Sequence, residues 1–515
     1  MSSEHSNSKK TENIAKNTLM LFFRMAITMF ISLYTSRILL AALGVDDFGI
    51  SNVVGGIIGF FGFIIYSMQT AIQRFLTVAM GKGDIKEVQH VFSIGIFIHA
   101  AFSLAVLLGG ETVGLWFLEN KLVIPEERLE AAFWIYQFCI AGTIISLMSI
   151  PFTAEVIAHE KMSAFAYLSI LNTGLNFLIA FSLQYSPADK LITFGFLGLC
   201  TNILNITLYI IYCKRRFEEC VLTVKVPKKL LKEMVSFAGW DFFGVLAYCV
   251  STQGATLMLN MFFGPSVNAA RAIAQTVLEK TKSFSNNFTT ALNPAISKSY
   301  GANEHEYMNK LLFSGSKLVF ILVATISLPL FIETPYLLKL WLTVVPEYTV
   351  TFIQILLIQS VFLTMWNPLF TAGLATGKIK QFGLKTSICN ILKMPVCYLL
   401  LLQGFSPVVF IAAYTILEFL SYGIQLFTLR GLINFNLKEY MVNVQLKSIL
   451  IFLSAFPIPF LLSQYLDASI VRILLVGVVS CVFSIGLSYF VLLNREEKAF
   501  IWKKTNLIFD KIKRK

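Results

Sequence analysis

The stretch RMAITMFISLYTSRILLAALGVDDFGISNVVGGIIGFFGFIIYSMQTAIQR, from Arg24 to Arg74, decides the fold. It predicts two long apolar helices joined by a short turn, Gly44–Gly49. Arg24 and Arg37 lie in the first helix and Arg74 near the end of the second. A guanidinium inside a membrane costs about 3 kcal/mol or more, so such residues usually face a protein interior or a water-filled cavity. We therefore expect a polar path lined by these arginines.

The composition is that of a membrane protein. The chain has 515 residues, of which 56% are hydrophobic and 14% charged. Apolar runs of about 20 residues recur along its whole length, which predicts an all-α polytopic membrane protein with about 14 transmembrane helices. The net charge of +13 lies in loops and tails between these runs. It therefore indicates membrane orientation rather than nucleic-acid binding.

The distribution of lysine and arginine predicts the orientation. The predicted spans are 17–44, 50–79, 91–118, 131–156, 164–184, 190–213, 234–263, 267–297, 312–333, 349–374, 384–403, 407–430, 448–466 and 471–493. Most positive residues fall in the two tails and in every second loop. The opposite loops hold few: Lys121, Arg128, Lys190, Lys339 and Arg472. This asymmetry places both termini in the cytoplasm. The N-terminal tail lacks the features of a signal peptide.

An internal repeat with an offset of about 220 residues divides the chain. Gly44 and Gly264 each follow a long apolar span, and Gly81 and Gly301 follow the next one. PFTAEVIAHEK at 151–161 recurs as PLFTAGLATGK at 368–378. The repeat predicts two parallel six-helix lobes, residues 1–220 and 221–430. Residues 431–515 would add two transmembrane helices and a basic cytoplasmic tail. Two such lobes can rock to expose a central cavity on alternate sides.

The eighth predicted span carries a polar stripe. At about 100° per residue, one helix face collects Arg271, Gln275, Glu279, Lys282 and Asn286. The stripe could line a wet cavity or form a hydrogen-bonded seam with another helix. The excess charge of the predicted cavity is positive. Arginine binds phosphate through a planar fork and lysine adds a point charge, so this pattern favours an anionic, phosphate-bearing cargo.

Several charged residues in the predicted spans have a second interpretation. Arg24 and Arg37 could reach a membrane interface with their long side chains, and Arg74 could be an orientation charge. Asp241, Glu155 and Glu418 are candidate carboxylates for a coupling proton or sodium ion, because a buried acid titrates near neutral pH. Each could equally be a paired structural group.

Catalytic and cofactor motifs are missing from the sequence. It contains no phosphate-binding loop at a strand–helix junction and no nucleophile elbow. The cysteines form no CxxC pair or cluster with histidine, so neither a zinc site nor a disulfide framework is indicated. The longest predicted cytoplasmic loop, Lys214–Glu233, is too short for a nucleotide-binding domain. We therefore expect a transporter without a cofactor, driven by an ion gradient, the membrane potential or the gradient of its cargo.

Six segments resemble a known family. They are NTLMLFFRMAITMFISLYTSRILLAALGVDDFGISNVVGG (17–56), AIQRFLTVAMGKGD (71–84), AHEKM (158–162), FAGW (237–240), NAARAIA (268–274) and ATGKIK (375–380). The chain is similar to bacterial O-antigen-type polysaccharide flippases of the multidrug/oligosaccharidyl-lipid/polysaccharide (MOP) exporter superfamily. The resemblance covers nearly the whole sequence, and its motifs are specific for a family but not for one cargo.

The resemblance implies a fold and a cargo. It implies a V-shaped pair of six-helix lobes whose cavity is lined by spans 1, 2, 7 and 8. It also implies that undecaprenyl-pyrophosphate-linked oligosaccharide moves from the cytoplasmic to the periplasmic leaflet of the inner membrane. Carried onto this sequence, Arg24, Arg37, Arg74 and Arg271 are the candidates for binding pyrophosphate. Spans 13 and 14 are similar in position to the helices that form a lipid-tail groove in the related lipid II flippase.

Three hypotheses follow. The leading one is a lipid-linked oligosaccharide flippase, whose expected partners are membrane lipids, H⁺ or Na⁺, a polysaccharide polymerase and glycosyltransferases, and no nucleic acid. The second is a cation-coupled exporter of soluble organic compounds; it should depend on a carboxylate in the first lobe, and spans 1 and 2 contain none. The third is a membrane glycosyltransferase or polymerase, which predicts a large periplasmic loop, whereas the outer loops here are about 3–15 residues.

Overall fold

The computed structural model describes residues 2–60, 69, 72–73, 75–80, 83–159, 161–223, 227–302, 304–376, 379–433, 435–499 and 502. The first half of this part contains α1 Ser2–Gly59, α2 Ile85–Gly109, α3 Leu115–Asn120, α4 Leu129–Ala158, α5 Met162–Ser182, α6 Lys190–Arg216 and α7 Lys228–Phe263. The second half contains α8 Pro265–Gly301, α9 His305–Trp341, α10 Thr349–Leu363, α11 Asn367–Ala375, α12 Ile379–Leu402, α13 Pro407–Leu432, α14 Leu437–Tyr440, α15 Lys447–Ala455, α16 Pro457–Tyr465 and α17 Ile470–Leu487.

The predicted fold class, an all-α polytopic membrane protein, is confirmed. Within the described residues, 12 helical segments are long and apolar enough to cross a membrane. The predicted span 267–297 is not among them, because α8 is helical throughout but too polar. The predicted span 50–79 begins inside α1, and its residues 61–68 lie outside the described part.

The predicted six-residue turn after the first span is wrong: the chain bends at one residue. Gly44 has φ 81° and ψ 175°, and α1 resumes directly after it. Gly264 has nearly the same geometry, φ 78° and ψ −172°, and separates α7 from α8. Only glycine adopts this left-handed region without a steric penalty. Asp46 and Asp47 lie in the first helical turn after Gly44, where a negative charge complements the helix dipole, so the helix restarts at once.

Glycines on the second part of α1 allow it to pack closely against α7 and the start of α8. A Cβ atom on Gly49 would overlap the backbone carbonyl of Pro265. A Cβ atom on Gly59 would lie 2.7 Å from the side-chain nitrogen of Gln253 in α7. Helices in membranes associate largely through such small residues, because van der Waals packing replaces the hydrophobic effect there. These glycines therefore bring α1 against α7 and the start of α8.

Arg128, which the sequence offers only as an orientation charge, joins three elements. It lies just before α4, and its guanidinium donates to Asp47 Oδ2 at 2.6 Å and to Asp189 Oδ2 at 2.6 Å. Burial alone would raise the pKa of Asp189, but the hydrogen bonds from Arg128 and from the first turn of α6 outweigh burial and lower it. The planar guanidinium can serve two carboxylates at once, which lysine cannot. Arg128 thus fixes the bend after Gly44 to the starts of α4 and α6.

The chain forms two compact units. The first comprises Met1–Ala272, Trp341–Glu347 and Asn390–Tyr398, and the second comprises Ile273–Leu340, Tyr348–Cys389 and Leu399–Lys515. The long N-terminal segment of the first unit therefore includes α7 and ends within α8, after Ala272. Its core is built around Phe92 and Leu147, and that of the second around Phe320 and Val361. The lobe boundaries at residues 220 and 430 remain a prediction.

The last long helix, α17, has its polar side inward. Ser480 and Ser484 are buried, as is Ser488 directly after the helix, whereas Leu474 and Val478 are more than 60% exposed. Thr325 in α9 donates to the Ser484 hydroxyl at 3.4 Å. An apolar surface over a small, polar seam is the arrangement expected for a helix that faces lipid and packs on a neighbouring helix. The C-terminal helices are therefore membrane elements of the second unit.

Candidate functional site

Arg271 lies in the second turn of α8, within the first unit, and its side chain turns back toward α7. It is only 4% exposed. Its Nε donates to the Thr256 hydroxyl at 3.2 Å and its Nη2 to the Thr252 carbonyl at 3.0 Å. These two hydrogen bonds hold the guanidinium against α7, and both acceptors are uncharged. The break at Gly264 makes this geometry possible, because it folds α8 back beside the last turns of α7.

A second buried cation lies in the same part of the first unit. Lys393 of α12 is 2% exposed. Both Lys393 and Arg271 lie close enough to the Cys397 thiol to interact with it electrostatically. Met394 contacts Gly254 on α7, since a Cβ atom there would lie 2.8 Å from the methionine sulfur. Burying one charge is costly, and two like charges in one region are more so. We therefore take Arg271 and Lys393 as the centre of the candidate site, the buried cation pair.

The predicted stripe on α8 continues from Arg271 into the second unit. Gln275 and Lys282 are half-buried, and Glu279 is exposed. Lys280, on the other face of the helix, is also half-buried. The helix therefore carries charged side chains along most of its length, although they differ in exposure.

The far end of the stripe packs on α11. Asn367 donates to Asn286 Oδ1 at 2.9 Å and to the Ser285 hydroxyl at 3.1 Å. One turn further on, Thr371 donates to Asn293 Oδ1 at 2.7 Å. Asn286 therefore takes part in a hydrogen-bonded seam between two helices of the second unit. Such a seam is the second of the two arrangements that a polar helix stripe allows.

The structure describes two of the three arginines of the opening stretch. The Cζ atom of Arg24 lies 4.9 Å from the ring centroid of Phe165 in α5. Its Nε is buried and has no hydrogen-bond partner in the described part of the chain. The Cζ atom of Arg37 lies 6.0 Å from the Tyr34 ring. Arg74 lies outside the described residues. Aromatic faces stabilise a nearby guanidinium through cation–π attraction.

The candidate carboxylates lie in different elements. Glu155, in the last turn of α4, is completely buried in the first unit. Glu418 of α13 is half-buried in the second unit. The side chain of Asp241 lies outside the described residues, although its backbone belongs to α7. A role for any of them in coupling remains a prediction.

Two ion pairs that attach the C-terminal residues to the second unit were missed by sequence reasoning. Lys317 of α9 contacts Glu497 at 3.0 Å, and Glu497 also accepts from Ser314 at 2.6 Å. Arg472 of α17 contacts the buried Glu333 at 2.8 Å. The partners are more than a hundred positions apart, so no local pattern could have found them. Their positions indicate a structural role.

We expect the variant Glu497→Gln to destabilise the second unit by about 2 kcal/mol, the usual size of a hydrogen bond to a charged group. Burial would raise the pKa of Glu497, but hydrogen bonds from Ser314 and Asn494 and the pair with Lys317 lower it. A carboxyl with a lowered pKa stabilises the folded state above its unfolded pKa of 4.5 and loses that contribution as the pH falls through the folded value. The difference between wild type and variant, read from thermal unfolding in detergent, should therefore shrink below about pH 4.5. A difference that does not change with pH would contradict this role for Glu497.

Part of the chain matches a known protein family. Residues 242–399 match the MatE family model, and this segment contains Arg271 and Lys393. No curated protein matches the sequence. The family match thus covers the segment of the chain that holds the buried cation pair.

Solved structures match 80–92% of the chain. An inward-facing multidrug resistance MATE family transporter of the MOP superfamily has a TM-score of 0.63 at 12% identity, covering 80% of this chain and 97% of that one. The outward-facing conformation of such a transporter has a TM-score of 0.59 at 12% identity, covering 81% and 96%. The lipid II flippase MurJ in an inward closed conformation has a TM-score of 0.61 at 12% identity, covering 92% and 98%. The chain therefore has the same fold as these MATE transporters and MurJ.

Proposed function

We propose that this protein is a flippase for undecaprenyl-pyrophosphate-linked oligosaccharide. It would move the repeat unit of a surface polysaccharide from the cytoplasmic to the periplasmic leaflet of a bacterial inner membrane, by alternating access and with both termini in the cytoplasm. The observation that carries the proposal is the buried cation pair, Arg271 and Lys393, in the first unit.

The chemistry of the pair suits a pyrophosphate. A pyrophosphate diester carries two negative charges and several acceptor oxygens, which a guanidinium fork and an ammonium can bind together. Arg271 is held by Thr256 and the Thr252 carbonyl through Nε and Nη2. This fixes the plane of the guanidinium and reduces the entropy lost on binding. Arg24, whose buried Nε has no hydrogen-bond partner among the described residues, is a further candidate ligand.

The C-terminal helices support a lipid-linked cargo. The match with the lipid II flippase covers 92% of this chain, whereas the matches with the MATE transporters cover 80–81%. The exposed apolar face of α17, which includes Leu474 and Val478, lies in this C-terminal part. A polyprenyl chain would find a compatible apolar surface there, while the headgroup requires charge. Glycosyltransferases would supply this substrate and a polysaccharide polymerase would consume it.

A cation-coupled exporter of soluble organic compounds is the second candidate. Glu155 is a fully buried carboxylate in the first unit, which such an exporter would need. Two of the matched structures are of multidrug resistance transporters. The two candidates differ in cargo, so an assay that offers both cargoes separates them.

The test is a deletion strain of the source bacterium. We expect loss of the surface polysaccharide, accumulation of the lipid-linked repeat unit in the membrane, and reversal of both effects by the wild-type gene. Sensitivity to cationic drugs should not change. Normal surface polysaccharide together with raised drug sensitivity would overturn the flippase and favour the exporter.

A further inference from the structure

A cluster of metal-ligating side chains lies in the first unit, away from the buried cation pair. It comprises Glu155 in the last turn of α4, His159 just after that helix, and Glu219 in the segment between α6 and α7. His159 Nε2 contacts Glu219 Oε1 and lies 3.5 Å from Glu155 Oε1. One ligand atom from each residue lies within 4.8 Å of the other two. Three donor atoms this close together could hold a single metal ion.

Glu155 supplies a second and independent observation. Its side chain is completely buried, and neither carboxylate oxygen has a hydrogen-bond partner in the described part of the chain. The separation of 3.5 Å from His159 is too long for a good hydrogen bond. A buried polar group without a partner carries a large free-energy penalty, so such a group usually indicates an unseen ion or water. A cation at this position would compensate the charge of Glu155 and of the second carboxylate, Glu219, beside it.

The neighbouring residues hold the cluster in place. The His159 ring stacks on Phe217, with ring centroids 4.0 Å apart and planes within 4° of each other. Ser93 of α2 accepts from the Thr223 N–H at 2.8 Å and donates to the Val221 carbonyl at 3.3 Å. These contacts fix both the imidazole and the segment that carries Glu219. Such supporting contacts are typical of metal sites, in which outer residues orient the ligands.

The donor set selects the kind of ion. One imidazole nitrogen and two carboxylate oxygens suit zinc or a similar transition metal, whereas calcium and magnesium prefer oxygen alone.

The cluster does not belong to the internal repeat. In the second copy of the motif, Ala372 and Thr376 occupy the positions of Glu155 and His159. These two ligands are therefore present in only one of the two copies of the motif. The sequence alone indicated no zinc site, because the third ligand, Glu219, comes 60 positions after His159.

We propose that Glu155, His159 and Glu219 bind one divalent transition-metal ion, of which zinc fits best. The ion fastens the segment between α6 and α7 to the end of α4 and neutralises the two carboxylates. This segment leads from the first predicted lobe into α7. The ion therefore has a structural role: it stabilises the connection between the predicted lobe and α7. This role is separate from cargo binding.

The test uses the full-length protein, purified in detergent and stripped of metal. We expect about one zinc ion per chain by mass spectrometry after equilibration with zinc chloride, and a higher unfolding temperature with zinc. Excess magnesium should not displace the ion. The variants Glu155→Gln and His159→Phe should each lower zinc affinity at least tenfold and remove the zinc-dependent stabilisation. Phenylalanine keeps the ring stacked on Phe217.

The matched control is Glu218→Gln, because Glu218 precedes Glu219 but is exposed. It should bind zinc as the wild type does. Equal zinc binding by wild type, control and both ligand variants would overturn the proposal, as would wild-type protein that holds no zinc. Cobalt binding to the wild type gives a second measurement that needs no variant. A strong visible absorption from low-coordinate cobalt supports the site, and a spectrum of hydrated cobalt alone contradicts it.

Discussion

The variants Arg271→Gln and Lys393→Met are expected to lower the rate of flipping by a factor of about 10 to 100. Each removes one charged ligand of the pyrophosphate, and a hydrogen bond to a charged group contributes about 1.5–3 kcal/mol. Glutamine keeps a donor for Thr256, and methionine keeps most of the lysine volume, so both changes remove charge rather than packing. The measurement is the rate at which surface polysaccharide is restored in the deletion strain at matched protein levels.

The helix that carries Lys393 offers a matched control. Lys385 also lies in α12, but its side chain is exposed. The variant Lys385→Met should complement like the wild type. The proposed role of the pair fails if Arg271→Gln and Lys393→Met restore the polysaccharide as fast as Lys385→Met does, because the buried cations would then not contact the cargo.

The variant Gly49→Ala is expected to prevent correct folding of most of the protein. A Cβ atom at this position would overlap the carbonyl oxygen of Pro265, and neither backbone can move without separating α1 from α8. Overpacking of this kind typically costs about 1–3 kcal/mol where side chains can yield, and more where backbone atoms collide. The measurement is the monodisperse fraction of a fluorescent fusion in size-exclusion chromatography.

Gly55 provides the control on the same helix. A Cβ atom there meets nothing within 4 Å. Gly55→Ala should therefore be neutral or slightly stabilising, since alanine restricts the unfolded chain and favours a helix. If Gly49→Ala and Gly55→Ala give equal monodisperse fractions, the close approach between α1 and Pro265 is not required for folding.

The sequence predicted the membrane fold because the decisive signals are local. Apolar runs of about 20 residues can be recognised without any tertiary information. The distribution of lysine and arginine among the loops predicts the orientation with little more. The offset between Gly44 and Gly264 is also visible in the sequence, and both residues have the same unusual backbone geometry. The length of the turn after Gly44 was wrong because the sequence cannot show how soon a helix restarts after a single positive φ.

Most of the pairing between distant residues could not be predicted. Arg128 donates hydrogen bonds to Asp47 and Asp189, which are 81 and 61 positions away in the sequence. Asn286 accepts a hydrogen bond from Asn367, which comes 81 positions later. A polar residue on a helix stripe has the same periodicity whether it faces water or another helix. Periodicity alone therefore could not show which residues of the α8 stripe pack on another helix. The buried state of Lys393 likewise depends on elements far away in the chain.

The most direct test of the central claim, that buried positive charge binds a pyrophosphate headgroup, is flipping in proteoliposomes. The purified protein is reconstituted with a fluorescent undecaprenyl-pyrophosphate-linked oligosaccharide and, separately, with the matching lipid that carries a neutral linker. We predict that the pyrophosphate-linked lipid becomes accessible to an external quencher at least tenfold faster than the neutral one, and that Arg271→Gln removes this preference. Equal rates for the two lipids with the wild-type protein would contradict the claim.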